Sequence, residues 1–348
     1  LTEKSGFSIR SVFDSTTICM NSHVMRGADS ATTRENKMLH SFRRGMLSGA
    51  AAAAAIAVSL AASAPAAIAE TVLKVVPHSG LKILDPIWTT AYISRNHGYL
   101  IYDTLFAMDE NFKPQPQMVD SWETSDDGKE WTFTLRDGLS FHDGAAVTSE
   151  DVIASLKRWG ARDGMGQQLM GVMAEMVAVD DKTFKFMLSE PYGLVLESIG
   201  KISSNVPFIM PKRMAETDPF EQIEEHIGSG PFKFEADAWV PGSTVVYTKF
   251  DEYVPRSEAP SAASGGKIAK VDRVEWLPIR DQQQAVNALK AGEIDYIEGI
   301  PHDLLPLVAD DSNIYIADFN PAGNQFTFRY NVLHPPFDNP KVPEAFLS

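Results

Sequence analysis

The sequence predicts an α/β protein built as two lobes of different construction. Two observations carry that expectation. Between residues 121 and 188 alternating apolar runs are cut by Asp-Gly and Asp-Asp turns, the layout of antiparallel hairpins. From Val271 onward strand and helix patterns alternate, as in a parallel βαβ unit.

The first 37 residues begin with Leu1 and have no periodic pattern; they read as upstream sequence ahead of Met38. Residues 38–69 read as a signal peptide. Arg43-Arg44 supply a positive start, Met46 to Ala62 a mildly apolar stretch, and Ala67-Ile68-Ala69 a small-x-small site with cleavage expected before Glu70. The paired arginines followed by Met46-Leu47 suit a twin-arginine signal, but Phe42 stands where Ser or Thr is usual, so both export routes stay open. Cys19, the one cysteine, precedes that site. The processed chain is therefore expected to have no disulfide, no thiol nucleophile and no lipid-anchor cysteine. Of 31 basic and 46 acidic residues, seven and four precede Glu70, which leaves the remainder at −18. That balance argues against a nucleic-acid partner.

Thr71 to Val76 has strand composition, and His78-Ser79-Gly80-Leu81 follows as a loop. Thr89 to Tyr102 reads as a helix with Tyr92, Ile93, Tyr99, Leu100 and Ile101 on an apolar stripe. Residues 111–117, with two prolines, are extended. Ser121–Ser125 and Trp131–Leu135 form a hairpin about Asp126-Asp127-Gly128, and Asp137-Gly138 turns into Leu139–Phe141. His142-Asp143-Gly144 is a further turn; no nucleophile stands near it, so it is expected to be scaffold. Thr148 caps a helix with Asp151 at its third position and Val152, Leu156 and Trp159 inward. Residues 177–188 form a second hairpin. Gly228-Ser229-Gly230 is a turn rather than a phosphate loop, since it lacks the lysine and the following helix. It opens a strand pair, 232–238 and 244–250. Residues 255–266, PRSEAPSAASGG, are the expected domain boundary. Beyond lie a strand over 271–279, a helix over 282–291 capped by Asp281 and ended by Gly292, and a strand over 294–297.

The eight histidines make no metal-ligand spacing, and GxSxG and P-loop motifs are missing. A metal, a cofactor and an enzymatic activity are therefore not expected, and an exported hydrolase or a DNA-binding regulator is disfavoured.

The run SWETSDDGKEWTFTLRDGLSFHDGAAVTSEDVIASLKR resembles the signature of family 5 extracellular solute-binding proteins of bacterial ABC importers. Further blocks agree in order: Leu84-Asp85-Pro86, VDDKTFKFMLSEP, GSGPFKF with AWVPGS and FDEY, and AVNALKAGEIDYIEGIP followed by FRYN and HPPFDNPKV. The resemblance runs from about Thr71 to Val342. It implies a two-lobe periplasmic-binding-protein-like fold, with residues 70–266 as a first lobe that carries an extra β-rich subdomain and a second lobe beginning at 267. Pro343 stands where the family continues with arginine, so residues 267–348 are expected to be the start of an incomplete second lobe, and a non-functional fragment is one alternative. By the same resemblance the chain is a periplasmic, monomeric component that captures small peptides between lobes and delivers them to an inner-membrane ABC permease. Nickel complexes, sugars and opines are alternative ligands. The expected ligand-binding residues are His78, Ser79, Gly80, Leu81, Trp88, Thr89 and Thr90, with Glu298, at the end of a hinge-side strand, receiving a ligand amine.

Overall fold

The computed structural model describes residues 23–26, 70–319 and 330–342; the expected leader at 38–69 and part of the FRYN block lie outside the described residues. The described strands are β1 (His23–Arg26), β2 (Val72–Val76), β3 (Asp103–Thr104), β4 (Phe106–Met108), β5 (Pro114–Pro116), β6 (Val119–Thr124), β7 (Glu130–Leu135), β8 (Met173–Ala178), β9 (Thr183–Leu188), β10 (Phe208–Ile209), β11 (Phe232–Phe234), β12 (Val245–Lys249), β13 (Arg273–Trp276), β14 (Tyr296–Ile297) and β15 (Ile314–Ala317). The α-helices are α1 (Tyr92–Ile101), α2 (Ser149–Arg162), α3 (Gly164–Val172), α4 (Val195–Ile199), α5 (Lys212–Ala215) and α6 (Gln282–Ala291).

A seven-stranded sheet runs β11-β12-β13-β2-β14-β1-β15. Period-two alternation divides its apolar residues between two faces. Leu73, Val75, Val274, Trp276 and Tyr296 enter the larger core, while Val76 and Ile297 enter a second one with Ala285, Val286 and Leu289 of α6. The expected βαβ unit is present, but its strands do not pair with each other. β13 and β14 each pair parallel with β2, which lies between them.

The central sheet takes strands from both sides of the boundary expected at 266/267. β13 belongs to the same sheet as β2 and β12, so the sheet does not divide there. The small-residue loop is packed rather than loose. Gln117 Nε2 donates to Gly265 O at 3.0 Å, Ala263 N to Met108 O at 3.1 Å, and Lys267 is buried in an ion pair with Asp103 at 2.7 Å. Its Ser and Ala content reflects close packing, which composition alone does not separate from a linker.

The caps follow the sequence. Thr148 and Asp151 form a reciprocal capping box at α2, with Val152, Leu156 and Trp159 fully buried. Asp281 Oδ1 accepts from Gln284 N at the start of α6, and Gly292 ends it at φ 74°. α1 starts later than expected. Asn205 Nδ2 holds the carbonyls of Pro86, Ile87 and Thr89 at 2.9–3.1 Å, which fixes residues 86–90 as a turn ahead of the helix.

A separate antiparallel sheet, β6-β7-β9-β8, forms the β-rich part. Phe133 of β7 stacks on Phe184 of β9 and tilts against Phe186, with ring centroids 5.1 and 5.0 Å apart. Leu139–Phe141, expected to be a strand, makes only a bridge, Ser140 to Ala146. The free edge of β7 is taken by β9 instead.

β1 lies within the segment set aside by its lack of pattern. It pairs antiparallel with β14 on one side and with β15 on the other.

Candidate functional site

In an open parallel sheet, ligands are held beyond the carboxyl ends of the strands, where loops diverge and backbone groups are free of the ladder. Here those ends belong to β2 and β14, and the sequence places His78 and Glu298 just past them. The structure brings the two together. Glu298 Oε2 accepts from the His78 main-chain N at 2.9 Å and from its ring Nδ1 at 2.8 Å. Glu298 Oε1 accepts from Asn96 Nδ2 of α1 at 2.8 Å. Asn96 Oδ1 in turn accepts from Arg95 Nε and Nη2 at 3.3 and 3.1 Å. The Arg95 guanidinium lies 4.3 Å from the centre of the Tyr92 ring. The site thus joins three segments: the loop after β2, the loop after β14 and the first turns of α1.

Glu298 is buried, at 8 % exposure, and an ionised carboxylate at that depth needs donors. The donors above supply them. Burial first, and then the negative charge of Glu298, push the phenol of neighbouring Tyr296 well above its ordinary range. By contrast the side chain of His78 keeps 31 % of its surface.

The other expected residues divide. Ser79 is exposed. Gly80 lies against the backbone of Gly242, where a Cβ would come within 2.7 Å of the carbonyl oxygen, so glycine is required by close approach. Leu81 corrects the expectation for its side chain, which is 1 % exposed and part of the main core; its carbonyl accepts from Gly242 N at 2.8 Å. An apolar side chain spent on the core has no surface for a ligand. Trp88, Thr89 and Thr90 are not tied to Glu298 by any described hydrogen bond. Trp88 donates from Nε1 to Phe220 O at 3.1 Å, and its carbonyl accepts from Arg162 at 2.7 Å. Thr89 Oγ1 accepts from Ala91 N at 3.2 Å, and Thr90 is exposed. Arg95 and Asn96 were missed, although two adjacent polar residues on the first turns of a largely apolar helix, YISRNHGYLI, are a usable signal.

Beneath this turn sits the Leu84-Asp85-Pro86 motif. Asp85 is fully buried and paired with Arg158 Nη2 of α2 at 2.7 Å. It also accepts from Ile87 N, Trp88 N and Ile223 N. Arg158 also donates from Nη1 to the carbonyls of Thr217 and Asp218 and from Nη2 to that of Glu221.

His142 is a scaffold residue, as its turn suggests, but it is far from idle. Gly228 N donates to its Nδ1 at 3.3 Å, which leaves Nε2 as the donor to Gly230 O at 3.0 Å. Burial is the main reason its pKa is held down to about 4, so the ring is neutral. Gly228 also packs on the end of α1, where a Cβ would overlap Ile101 O at 1.7 Å. Among the described residues no group of three or more His, Cys, Asp or Glu could hold a metal ion.

Comparison with known proteins agrees with this architecture. The family description "Bacterial extracellular solute-binding proteins, family 5 Middle" matches residues 113–347. The "probable peptide ABC transporter periplasmic-binding protein" of Sinorhizobium fredii is 43 % identical over 301 residues, which cover 86 % of this chain and 56 % of that protein. The glutathione-binding protein of Salmonella typhimurium is 29 % identical over 297 residues, 84 % of this chain and 54 % of that one. The chain therefore spans a little over half the length of the curated relatives it matches. Among solved structures, the binding protein AgaA of A. tumefaciens in complex with agropinic acid superposes with a TM-score of 0.57 at 27 % identity, covering 69 % of this chain and 46 % of that one. The parallel rim, the hairpin sheet and these matches lead to one conclusion: this chain belongs to the family 5 bacterial extracellular solute-binding proteins.

Proposed function

We propose that the chain contributes one wall of a cleft that captures small peptides in the periplasm for an inner-membrane ABC permease. The observation that carries this is the His78–Glu298–Asn96 node, a set of polar groups at the carboxyl ends of two parallel strands, partly open to solvent. An extended peptide needs backbone donors and acceptors met at fixed positions, and a rim of loop ends supplies them. The exposed His78-Ser79 main chain would meet the peptide backbone, and the Trp88–Thr90 turn would flank it. The relative in Sinorhizobium fredii, whose name is that of a peptide transporter component, supports the ligand class. The signal-like pattern at 38–69, with its small-x-small site ahead of Glu70, supports export. A second reading, an opine ligand, is favoured by the likeness to the agropinic acid complex.

Calorimetric titration of the chain with a dipeptide and tripeptide pool, and separately with agropinic acid, tests both. Heat with the peptides alone is expected. Heat with agropinic acid alone would overturn the peptide reading in favour of the second. Fractionation of the host, with N-terminal sequencing of the product, tests export; a cell-retained product still carrying residues 38–69 would contradict it.

A further inference from the structure

The sequence points to Glu298 as the group that meets a ligand amine, yet its two oxygens are already engaged. Oε2 takes the main-chain N and the ring Nδ1 of His78, and Oε1 takes Asn96 Nδ2. A ligand ammonium would have to compete with three donors for a carboxylate that is 8 % exposed. The part of the node that reaches solvent is the imidazole.

We infer that Glu298 is a positioning residue, and that His78 Nε2 is the polar atom this rim presents to the ligand, as an acceptor for an ammonium or amide N–H. This rests on the solute-binding role proposed above and moves the contact from the carboxylate to the ring. The chemistry follows from the hydrogen-bond direction. A carboxylate only accepts, so the Nδ1 atom at 2.8 Å must carry the proton. In a neutral imidazole the other nitrogen is then a bare lone pair. Glu298 covers Nδ1, and the side chain as a whole keeps 31 % of its surface. The main-chain bond from His78 N to the same oxygen fixes the backbone beneath the ring, so the acceptor is oriented before any ligand arrives. The partner class is a nitrogen donor. A carboxylate or phosphate at this position would face a lone pair.

The test uses the full chain labelled with ¹⁵N-histidine, with the His78 resonances assigned by comparison with His78→Ala. At pH 8 the spectrum is expected to show a proton on Nδ1 and none on Nε2. Glu298→Gln, whose amide oxygen still accepts, is expected to keep that tautomer, and Glu298→Ala to lose it. A proton on Nε2 in the unaltered chain overturns the inference. The second arm is titration with the dipeptide Ala-Ala. His78→Asn can still donate to Glu298 but has no atom at the Nε2 position, and it is expected to bind about tenfold more weakly, the loss of one hydrogen bond to a charged donor. Unchanged affinity in that variant overturns the inference too. If the unaltered chain shows the expected tautomer and gives no heat with Ala-Ala, it is the peptide reading that fails. The two failures are therefore distinct.

Discussion

Asp85 and Glu298 make an instructive pair. Both follow strands of the central sheet, and both gather main-chain N–H groups from a neighbouring turn. Asp85 is sealed in by Arg158, with neither side chain exposed, and every donor around it is scaffold. Glu298 is answered by an amide and an imidazole, and the imidazole still reaches water. The difference lies in the counter-group. A buried guanidinium neutralises its carboxylate and locks α2 to the 217–223 segment, which suits a fixed frame. The described donors to Glu298 come from a loop main chain, a half-open imidazole and an amide, and that suits a surface which must receive something.

Breaking the sealed node should have the largest effect. Arg158→Ala strands a buried carboxylate and three carbonyls, and breaking such a pair from one side costs about 3–5 kcal/mol. Urea unfolding of the full chain is expected to show that loss, enough to unfold a marginal domain. A loss near that of a surface pair would mean that water reaches Asp85.

His142→Ala should follow, at about 1–3 kcal/mol, because two bonds to the Gly228–Gly230 backbone vanish and leave buried groups unpaired. A surface turn would lose about half a kcal/mol or less. The same residue gives a pH signature. Burial holds His142 down to about 4, and burial with the nearby charge of His226 holds His97 down to about 3, both from an ordinary 6.5. The folded state therefore binds fewer protons than the unfolded state between those values. The stability they contribute is fully present above about 6.5 and is lost as pH falls toward 4 and then 3. Melting temperatures are expected to be flat from pH 8 to 7 and to fall below about 6, with a shallower fall in His142→Gln. An identical slope in that variant would remove His142 from the account.

Thr148→Ala removes one half of the capping box and should cost about 1 kcal/mol in the same unfolding experiment. The smallest effect is expected at the open node. Glu298→Gln keeps the shape and one acceptor oxygen while trading the other for an NH2, and at this partly open site it should change stability by about 1 kcal/mol or less. A loss as large as that of Arg158→Ala would erase the contrast between the two carboxylates.

Local chemistry was legible in the sequence; distant pairing was not. Thr148 with Asp151, and Asp281 with Gly292, satisfy helix ends within a few residues, so the chain announces them. The Phe133, Phe184 and Phe186 face follows from period-two alternation. The late start of α1 was hidden because its cause, Asn205, lies more than a hundred residues away. Glu298 and His78 were named separately, but their bond spans 220 positions, and Asn96 is 202 from its acceptor. The strand order failed for the same reason. Nothing in residues 271–297 tells that β2 will lie between β13 and β14.

That last feature sets an order of events. β2 is the first strand after Glu70, and it sits in the middle of the sheet with both neighbours some 200 residues downstream. Thr71 is also clasped there, its N and Oγ1 both donating to Asp272. A chain that emerges N-terminus first must therefore carry VLKVV unpaired until β13 and β14 arrive, and contacts of such long range close slowly. The hairpin sheet, whose partners are near in sequence, can assemble meanwhile. The rim that joins His78 to Glu298 is then among the last parts of the molecule to exist, and a holdase that shields the first strand would set the yield of the site.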